Sequence, residues 1–265
     1  MPEAPDIERL LATAVSGRVE QDGATWFLKK GDAAMLRAEA RGLEMLAEAD
    51  AVRVPRCFGV HEAGSETVLV VEWLPLQPLS AVAGGKLGRQ LAKQHELRAE
   101  SHGLDEDNFI GLGVQRNRQS ANWCEFFREN RLLPLLEDLR SAEWHEEGLA
   151  LARSLHEFLG GHAPAASLLH GDLWAGNAAM LQGDVPVIFD PAVHFGDREC
   201  DLAMTKLFGG FPSSFYEAYE SEWPLPAGWE QREPLYRLYH VMNHARLFGG
   251  SYLAESGRII HQLTG

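Results

Sequence analysis

The amino-acid sequence predicts an α+β fold of two lobes: a small β-rich N-terminal lobe with one long helix, and a larger, mainly helical C-terminal lobe. Strand-like apolar patterns dominate the chain before residue 75, and helical periodicity dominates it afterwards. Between them, the run Leu74-Pro75-Leu76-Gln77-Pro78 interrupts regular structure and is typical of a hinge. We therefore predict an N-terminal lobe at residues 1–74, a hinge at 75–79 and a C-terminal lobe at 80–265.

The N-terminal lobe is predicted to contain one strong helix at residues 33–49, where apolar side chains recur at helical spacing. This apolar stripe consists of Leu36, Ala40, Leu43 and Ala47. The remaining predicted elements are shorter: a helix at 7–15 and strands at 25–29, 54–60 and 67–74. Together they describe a mixed β lobe with one long helix.

The C-terminal lobe is predicted to be helical except around one hairpin. Apolar runs at 178–182 and 185–189 flank Gly183-Asp184, a two-residue turn signal, and so predict a β-hairpin. Paired glycines at 160–161 and 249–250 are natural helix stops. The predicted helices lie at 86–98, 121–139, 146–159, 199–208, 213–221, 232–247 and 250–262.

The composition argues against several classes of partner. The formal net charge is −14, with 38 acidic and 24 basic residues, whereas nucleic acids and anionic membranes require a basic footprint. No segment approaches the roughly 20 apolar residues that span a bilayer, and Met1-Pro-Glu-Ala-Pro-Asp6 lacks the features of a signal peptide. Three widely spaced cysteines indicate neither a disulfide framework nor a zinc knuckle. We expect a cytoplasmic protein that binds neither nucleic acid nor membrane.

The candidate catalytic residues lie in two stretches, His170-Gly-Asp172-Leu-Trp-Ala-Gly-Asn177 and Phe189-Asp190-Pro191. The first stretch matches the protein-kinase catalytic loop H-x-D-L-x-x-x-N. In that pattern Asp172 accepts the proton of a substrate hydroxyl, while Asn177 and Asp190 hold Mg²⁺ on the phosphates of ATP. Asp and Asn also form ordinary turns and caps, but their spacing here favours phosphoryl transfer.

The predicted hairpin gives Asn177 and Asp190 a reason to meet. With a two-residue turn at 183–184 the two residues face each other across the strands, and directly opposed Cβ atoms lie about 4.5–5.5 Å apart. Two side chains at that separation can share one cation. Pro186 indicates an edge strand or a bulge, which could shift this register.

A second group of residues is expected to bind the nucleotide. Enzymes that transfer phosphate in this way fix a strand lysine on the phosphates with a helix glutamate, and Lys29 and Glu39 fit these roles. A solvated Lys–Glu pair is the alternative, and Lys30 could replace Lys29. The segment Glu72-Trp73-Leu74 is placed to meet the adenine through its backbone groups.

The remaining candidates are expected to support the site. Trp174 would form an aromatic wall for the acceptor or pack in the ordinary way. His170 is interpreted as a structural member of the loop, and Arg198 and Asp201 as residues that brace it. His240 and His244 have the spacing of a metal pair, but no third ligand is evident, so packed histidines are favoured.

Several segments resemble the fructosamine kinase (ketosamine-3-kinase) family. The catalytic loop is shared with aminoglycoside phosphotransferases and choline kinases, whereas the other matching segments are more particular. The resemblance covers about residues 26–253. Its segments are Gly103-Leu-Asp-Glu-Asp-Asn-Phe-Ile-Gly111, Phe126-Phe-Arg-Glu-Asn-Arg131, His170 to Asn177, Phe189-Asp-Pro-Ala192, Gly196-Asp-Arg-Glu-Cys-Asp-Leu-Ala203 and Asn243-His-Ala-Arg-Leu-Phe-Gly-Gly250.

The resemblance implies a protein-kinase-like fold and the ATP- and Mg²⁺-dependent phosphorylation of a sugar C3 hydroxyl. The acceptor would be a ketosamine, as a small-molecule or protein-bound glycated amine, and the role would be repair. By position it makes Asp172 the base, Asn177 and Asp190 the metal ligands, and Lys29 the phosphate contact that Glu39 orients. A monomer is favoured. The alternatives are a small-molecule kinase of the aminoglycoside or choline type and a nucleotide-binding pseudokinase.

The sequence departs from the family pattern in two places. The region 16–23, expected to cover the phosphates, is poor in glycine and has no cysteine, so redox control through that cysteine is not expected. Asp-Pro-Ala at 190–192 stands where protein kinases carry Asp-Phe-Gly, which weakens the analogy to their activation-loop switching. Both departures concern regulation and leave the predicted chemistry intact.

Overall fold

The computed structural model describes residues 5–12 and 16–265, and its N-terminal part forms an antiparallel sheet beside one long helix. The strands lie in the spatial order β1-β2-β4-β3. The elements of this part are α1 (Ile7–Leu11), β1 (Gly17–Gln21), β2 (Ala24–Gly31), α2 (Ala33–Ala49), β3 (Cys57–Ala63) and β4 (Glu66–Glu72). The predicted helix at 7–15 ends at Leu11 in the structure, and residues 13–15 lie outside the described part of the chain.

Helix α2 has the predicted bounds, and its start has a clear cause. The Asp32 side chain accepts hydrogen bonds from the N–H groups of Ala34 (2.9 Å) and Met35 (3.1 Å), which satisfies two donors of the first turn. The buried stripe ends with Leu46, whereas Ala47, predicted to belong to it, is exposed. The larger side chain thus occupies the core-facing position of the last turn.

The C-terminal part is mainly helical, and two of its predicted helices are interrupted. The segment predicted as 121–139 contains a π-helical turn at Arg128–Leu132, and the one predicted as 146–159 breaks at Ser154. The helices are α3 (Ala81–His95), α4 (Trp123–Phe127), α5 (Leu133–Asp138), α6 (His145–Arg153), α7 (Leu155–Leu159), α8 (Glu199–Thr205), α9 (Ser213–Glu222), α10 (Trp229–Phe248) and α11 (Ser251–Thr264).

Short strands between these helices frame the catalytic loop. Strands β11, β8 and β5 form one antiparallel sheet, β6 and β7 form a hairpin, and β9 and β10 form another. Only the last pair was predicted, because the others have two to four residues each and show little alternation. Their bounds are β5 (Arg98–Ala99), β6 (Asn108–Ile110), β7 (Gly113–Gln115), β8 (Ala166–Leu169), β9 (Ala178–Leu181), β10 (Val185–Ile188) and β11 (His194–Gly196).

The register of the β9–β10 hairpin differs from the prediction by one residue. Leu181 pairs with Val185, so the turn has three residues, and Asn177 lies opposite Phe189 rather than Asp190. The predicted two-residue turn was therefore wrong. The wider turn is held by α3, because Ser80 Oγ donates to the Asp184 carboxylate (2.5 Å) and Lys86 Nζ donates to the Asp184 carbonyl oxygen (2.9 Å).

The core joins the two lobes. One cluster of buried apolar side chains contains Leu36 and Leu43 of α2, Val71 of β4 and Tyr236 of α10. A separate cluster on the other face of the N-terminal sheet is centred on Trp26 and is closed by α1. The sheet is thus covered on both faces, and its inner face packs toward the helical lobe. No helix in the described ranges is long and apolar enough to cross a membrane.

Candidate active site

The catalytic loop follows the buried strand β8 and needs a glycine at its second residue. Gly171 has a φ of +83°, and a Cβ atom there would lie 2.0 Å from the carbonyl oxygen of Ala192. That carbonyl belongs to the segment after Asp190, whose N–H at Ala192 donates to the His170 carbonyl oxygen at 2.8 Å. The loop and the Asp190 segment therefore lie in direct backbone contact.

Asp201 of α8 holds the start of the loop. Its carboxylate accepts the main-chain N–H groups of His170 and Gly171, each at 2.8 Å, and lies 3.1 Å from His95 Nε2. Burial alone would raise the pKa of Asp201, but the hydrogen bond from His95 and the charge of that residue outweigh burial, and the pKa is lowered. A buried, ionised carboxylate thus fixes two consecutive N–H groups of the loop.

His170 and Arg198 occupy different surroundings. His170 is buried, and its Nε2 lies 3.1 Å from the Phe189 carbonyl oxygen, beside Asp190. Among the described residues, Arg198 has no hydrogen bond to the catalytic loop: it donates to the Tyr219 hydroxyl (3.1 Å) and to the Trp223 carbonyl oxygen (2.8 Å). The structure therefore connects Arg198 with the loop only through other side chains.

Asp172 and Asn177 contact each other within the loop. The Asn177 Nδ2 group donates to the Asp172 main-chain carbonyl (2.9 Å) and to its Oδ2 (3.1 Å). Burial raises the pKa of Asp172 to about 7; the hydrogen bond from Asn177 opposes this, and the nearby charges of Asp190 and Asp201 add to it. A carboxylate with such a pKa can accept a proton near neutral pH.

Lys29 contacts two carboxylates. Its Nζ lies 2.7 Å from Glu39 Oε1, on α2, and 2.5 Å from Asp190 Oδ1. Burial alone would lower the pKa of Lys29, but both carboxylates favour the charged ammonium, and the pKa is raised. Burial raises the pKa of Glu39, although Lys29 opposes this. Lys30, the alternative considered from the sequence, pairs instead with Glu66 (2.5 Å).

One cleft of about 680 Å³ brings most of the predicted site residues together. Although Asn177 and Asp190 are not paired across the hairpin, both line this cleft with Asp172. Asp190 has a φ of +56°, a left-handed backbone conformation that turns the chain beside the strand end. The lining shared with the prediction consists of Lys29, Glu39, Asp172, Trp174, Asn177 and Asp190.

A second cavity, of about 210 Å³, lies at the predicted hinge. Glu72, Trp73 and Leu74 line it, and it shares Lys29 and Asp190 with the cleft. The Glu72 carboxylate already has protein partners, since it accepts hydrogen bonds from the Arg53 side chain and the Arg56 N–H. The guanidinium of Arg18 lies 4.6 Å from the centre of the Trp73 ring.

The aromatic wall predicted at Trp174 is larger than the sequence indicated, because residues of α10 also line the cleft. Trp174 lies over Gly176, where an added Cβ would be 2.3 Å from its ring, and Trp174 contacts Phe208 edge to face, with 5.5 Å between ring centres. Phe208 lies 4.8 Å from the His244 ring, and His244 and Phe248 of α10 line the cleft. From the sequence, His244 was considered only as a partner of His240, and Asn243-His-Ala-Arg-Leu-Phe248 only as a family segment. The helical spacing of Asn243, His244 and Phe248 could have indicated one shared face.

The predicted histidine pair does not form a metal pair. His244 Nδ1 lies 2.8 Å from the His240 carbonyl oxygen, which is an intrahelical contact. Within the described part of the chain, one group of three His, Cys, Asp or Glu side chains lies close enough together to hold a cation, and it consists of His162, Asp197 and Glu199. Both carboxylates already have protein partners: Asp197 accepts from Tyr236 (2.6 Å), and Glu199 pairs with Arg232 (2.5 Å).

Known proteins of similar sequence show the family of the chain. The sequence model of the fructosamine kinase family matches residues 12–265. A protein of Vibrio parahaemolyticus named "probable ketoamine kinase" is 39% identical over 249 residues, which cover 90% of this chain and 84% of that one. A Synechocystis protein of the same name is 40% identical over 230 residues, covering 86% and 78% of the two chains.

Solved structures extend the agreement to the fold. The crystal structure of a proposed fructosamine-3-kinase from Haemophilus somnus superposes with a TM-score of 0.87 at 28% identity, covering 94% of this chain and 86% of that one. A choline kinase from Streptococcus pneumoniae, at 14% identity, shares the fold with a TM-score of 0.64 and covers 97% of each chain. The predicted α+β, two-lobed, kinase-like fold and the predicted resemblance are thereby confirmed. The chain belongs to the fructosamine kinase family and is an ATP-dependent phosphotransferase.

Proposed function

We propose that this enzyme transfers the γ-phosphate of Mg²⁺-bound ATP to the C3 hydroxyl of a ketosamine sugar. The observation that carries the proposal is the position of Asp172, a carboxylate with a pKa of about 7 in the cleft that Lys29 and Asp190 also line. General bases work best when their pKa lies near the operating pH. Family membership supports the ketosamine as acceptor.

Asp172 is the proposed general base. It accepts the proton of the acceptor hydroxyl while the hydroxyl oxygen bonds to the γ-phosphorus and the bond to the bridging oxygen of ADP breaks. The hydrogen bond from Asn177 Nδ2 to Asp172 Oδ2 holds the carboxylate in one orientation. Asp201 and His170 act on Asp172 through the loop backbone, and Arg198 supports Asp201 only indirectly.

The residues of the cleft fit a magnesium ion. Asn177 turns its amide NH₂ toward Asp172, which leaves its carbonyl oxygen for a cation, and Asp190 adds a carboxylate at the same cleft. Such oxygen donors are those that Mg²⁺ takes in nucleotide sites, where the ion neutralises phosphate charge. Lys29 contacts Asp190 directly, so this ammonium is available to a phosphate oxygen when Asp190 binds the cation.

The nucleotide is proposed to enter from the hinge side. The smaller cavity at Glu72-Trp73-Leu74 would receive the adenine, and Lys29 at its inner end would contact the phosphates while Glu39 holds the lysine. The turn after Leu74 begins with a hydrogen bond from the Leu76 N–H to the Leu74 carbonyl oxygen (2.9 Å). This arrangement supports the lobe boundaries at 1–74, 75–79 and 80–265.

The acceptor is proposed to lie against the aromatic wall. Trp174 and His244 line the same cleft as Asp172, and burial lowers the pKa of His244, so its ring is neutral near pH 7. A small or protein-bound glycated amine would fit there, and the biological role would be repair of glycated amines by a monomeric, cytoplasmic enzyme. Aminoglycoside phosphotransferase and choline kinase structures resemble this chain at only 14% identity, so their acceptors are less favoured.

An acceptor panel tests the proposal. The purified enzyme is supplied with ATP and Mg²⁺ and with fructosamine or ribulosamine derivatives of lysine, with aminoglycosides, or with choline, and ADP release is measured. We expect acceptor-dependent turnover with the ketosamines only. Turnover with an aminoglycoside or choline instead would establish the small-molecule kinase alternative, and no turnover with any acceptor would support the pseudokinase alternative.

A further inference from the structure

A buried network of amide side chains lies beneath the segment that follows Asp190. Gln115, at the end of β7, donates from Nε2 to the Ala192 carbonyl oxygen (3.0 Å) and to Asn108 Oδ1 (2.8 Å). Asn108, at the start of β6, donates from Nδ2 to the Val193 carbonyl oxygen (2.7 Å). Gln115 is 2% exposed and Asn108 is 4% exposed, so both amide groups form their hydrogen bonds in the protein interior. Two consecutive carbonyl groups after Asp190 are thus held by one hairpin.

A buried arginine completes the network from the other side. Arg131 donates from Nη2 to Asn117 Oδ1 (2.9 Å), and Asn117 Nδ2 donates to Asn108 Oδ1 (2.9 Å). Arg131 is 1% exposed, and within the described ranges its hydrogen bonds go to neutral oxygens rather than to a carboxylate. Burial of a guanidinium without a carboxylate partner costs desolvation free energy. Through Asn117 and Asn108, this buried charge is connected to the Val193 carbonyl oxygen, in the segment that follows Asp190.

The network also contacts α10, the helix on which His244 and Phe248 of the aromatic wall lie. The Tyr239 hydroxyl of α10 donates to Gln115 Oε1 (2.9 Å). One turn further along the same face of α10, Asn243 lines the cleft and donates to the Ile110 carbonyl oxygen of β6 (3.5 Å). Gln115 therefore connects the Asp190 segment with α10 by a single side chain.

We propose that Gln115, together with Asn108, is a positioning residue that fixes Asp190 relative to His244 and Phe248, the part of the aromatic wall that lies on α10. The proposal rests on the proposed function in one respect, the role of Asp190 as a ligand of Mg²⁺. Gln115 touches neither nucleotide nor acceptor and acts through the Ala192 carbonyl and the Tyr239 hydroxyl. Asn108 and Arg131 belong to two of the segments that resemble the fructosamine kinase family, Gly103 to Gly111 and Phe126 to Arg131.

The backbone around the network makes the same segment rigid. The Ala192 N–H donates to the His170 carbonyl (2.8 Å), and Phe195 exchanges two hydrogen bonds with Gly103 (2.7 and 2.9 Å). His194 Nδ1 also lies 3.3 Å from the Ala192 carbonyl oxygen. In protein kinases the segment after the metal-binding Asp controls activity through its position. Here backbone contacts hold the segment on one side, and Gln115 adds the side-chain link to α10.

The test compares Gln115→Met with Gln94→Met. Gln94 is a matched control: it is fully buried on α3, and its Nε2 makes one hydrogen bond to the Leu168 carbonyl (3.3 Å), outside the network. ATP binding is titrated against Mg²⁺ without an acceptor, and unfolding by urea is measured in parallel. Groups that orient a metal ligand typically contribute 10- to 100-fold to metal affinity. We expect Gln115→Met to raise the Mg²⁺ concentration for half-maximal ATP binding about 10-fold, and Gln94→Met to leave it unchanged.

The two readouts separate this proposal from the acceptor assignment. If Gln115→Met and Gln94→Met lose similar stability and both keep the wild-type Mg²⁺ requirement, Gln115 is merely structural and the proposal is wrong. Should Gln115→Met fail to fold, Tyr239→Phe removes only the hydroxyl, and a raised Mg²⁺ requirement in that variant supports the proposal while an unchanged one overturns it. Failure of every ketosamine in the acceptor panel would reject the proposed function without affecting ATP binding.

Discussion

At the scale of single residues, burial gives Asp172 its chemistry. An aspartate at the surface titrates near pH 4 and is a poor base. In the cleft, burial raises the pKa of Asp172 to about 7, and the hydrogen bond from Asn177 opposes a further increase of this pKa. The sequence predicted the identity of this residue from its spacing to His170 and Asn177. It could not predict the pKa, because burial depends on chain segments distant in sequence.

The raised pKa of Asp172 predicts a stability that falls with pH. Between pH 4 and 7 the folded state holds a proton that the unfolded state has lost, so the contribution is present at low pH and disappears as pH rises through about 7. Asp172→Asn lacks this titration. We expect urea unfolding to show that Asp172→Asn is more stable than the wild type at pH 8. At pH 5 the difference in stability between the two proteins should be small.

The pH comparison has a clear contrary result. A difference between variant and wild type that is equal at both pH values would mean that Asp172 titrates outside this range. Asp201 gives the opposite sign, because hydrogen bonds lower its pKa below the ordinary value. Stability from Asp201 is present at neutral pH and is lost only in acid.

At the scale of elements, close backbone contact joins the catalytic loop to the Asp190 segment, and a glycine permits it. Gly171→Ala would place a methyl group 2.0 Å from the Ala192 oxygen at a positive φ. Gly183→Ala is the control, with a φ of +86° and no atom within 4 Å. The control should cost about 1–2 kcal/mol from the left-handed backbone alone.

Gly171→Ala should cost about 1–3 kcal/mol more than the control, because the contact must also be relieved. It should also reduce phosphate transfer strongly, since Asp172 is the next residue. Equilibrium urea unfolding and initial rates measure the two effects. Equal destabilisation by the two variants, with activity kept, would show that the Gly171 contact does not shape the site.

The element predictions succeeded where local signals were strong. Helix α2 was predicted to the residue, because Asp32 caps it and its stripe is regular. The β9–β10 turn was predicted one residue too short, and in the structure it contacts Ser80, the N-cap of α3, and Lys86 of α3, which are distant in sequence. Short strands such as β6 and β7 left no alternating pattern, although Asn108 and Gln115 within them hold the Asp190 segment. Their roles depend on tertiary partners that the sequence does not indicate.

At the scale of the whole molecule, one buried core runs from the N-terminal sheet into the helical lobe. A ligand that bridges the lobes should therefore stabilise the entire chain. Mg²⁺ and ATP at about 100 times the dissociation constant add about 2.7 kcal/mol, which is about 5–10 °C in Tm for a protein of this size. Thermal unfolding with and without Mg²⁺-ATP measures this shift.

Thermal unfolding of two lysine variants tests which lysine contacts the phosphates. Lys29→Met should reduce the shift markedly, because Lys29 is paired with Glu39 and Asp190 at the junction of the two cavities. Lys30→Met should retain most of it, since Lys30 pairs with Glu66. The reverse order would assign the phosphate contact to Lys30, the alternative that the sequence left open.

Asp172 is the proposed base that activates a ketosamine hydroxyl. The most direct test of this role is the pH dependence of phosphate transfer to fructosyl-lysine by the wild type and by Asp172→Asn, with Mg²⁺-ATP binding measured in parallel. We predict that kcat/KM of the wild type rises with pH as a single group with a pKa near 7 loses its proton. Asp172→Asn should bind Mg²⁺-ATP normally but transfer phosphate at least about 100-fold more slowly at every pH. Transfer by Asp172→Asn at the wild-type rate would contradict the account.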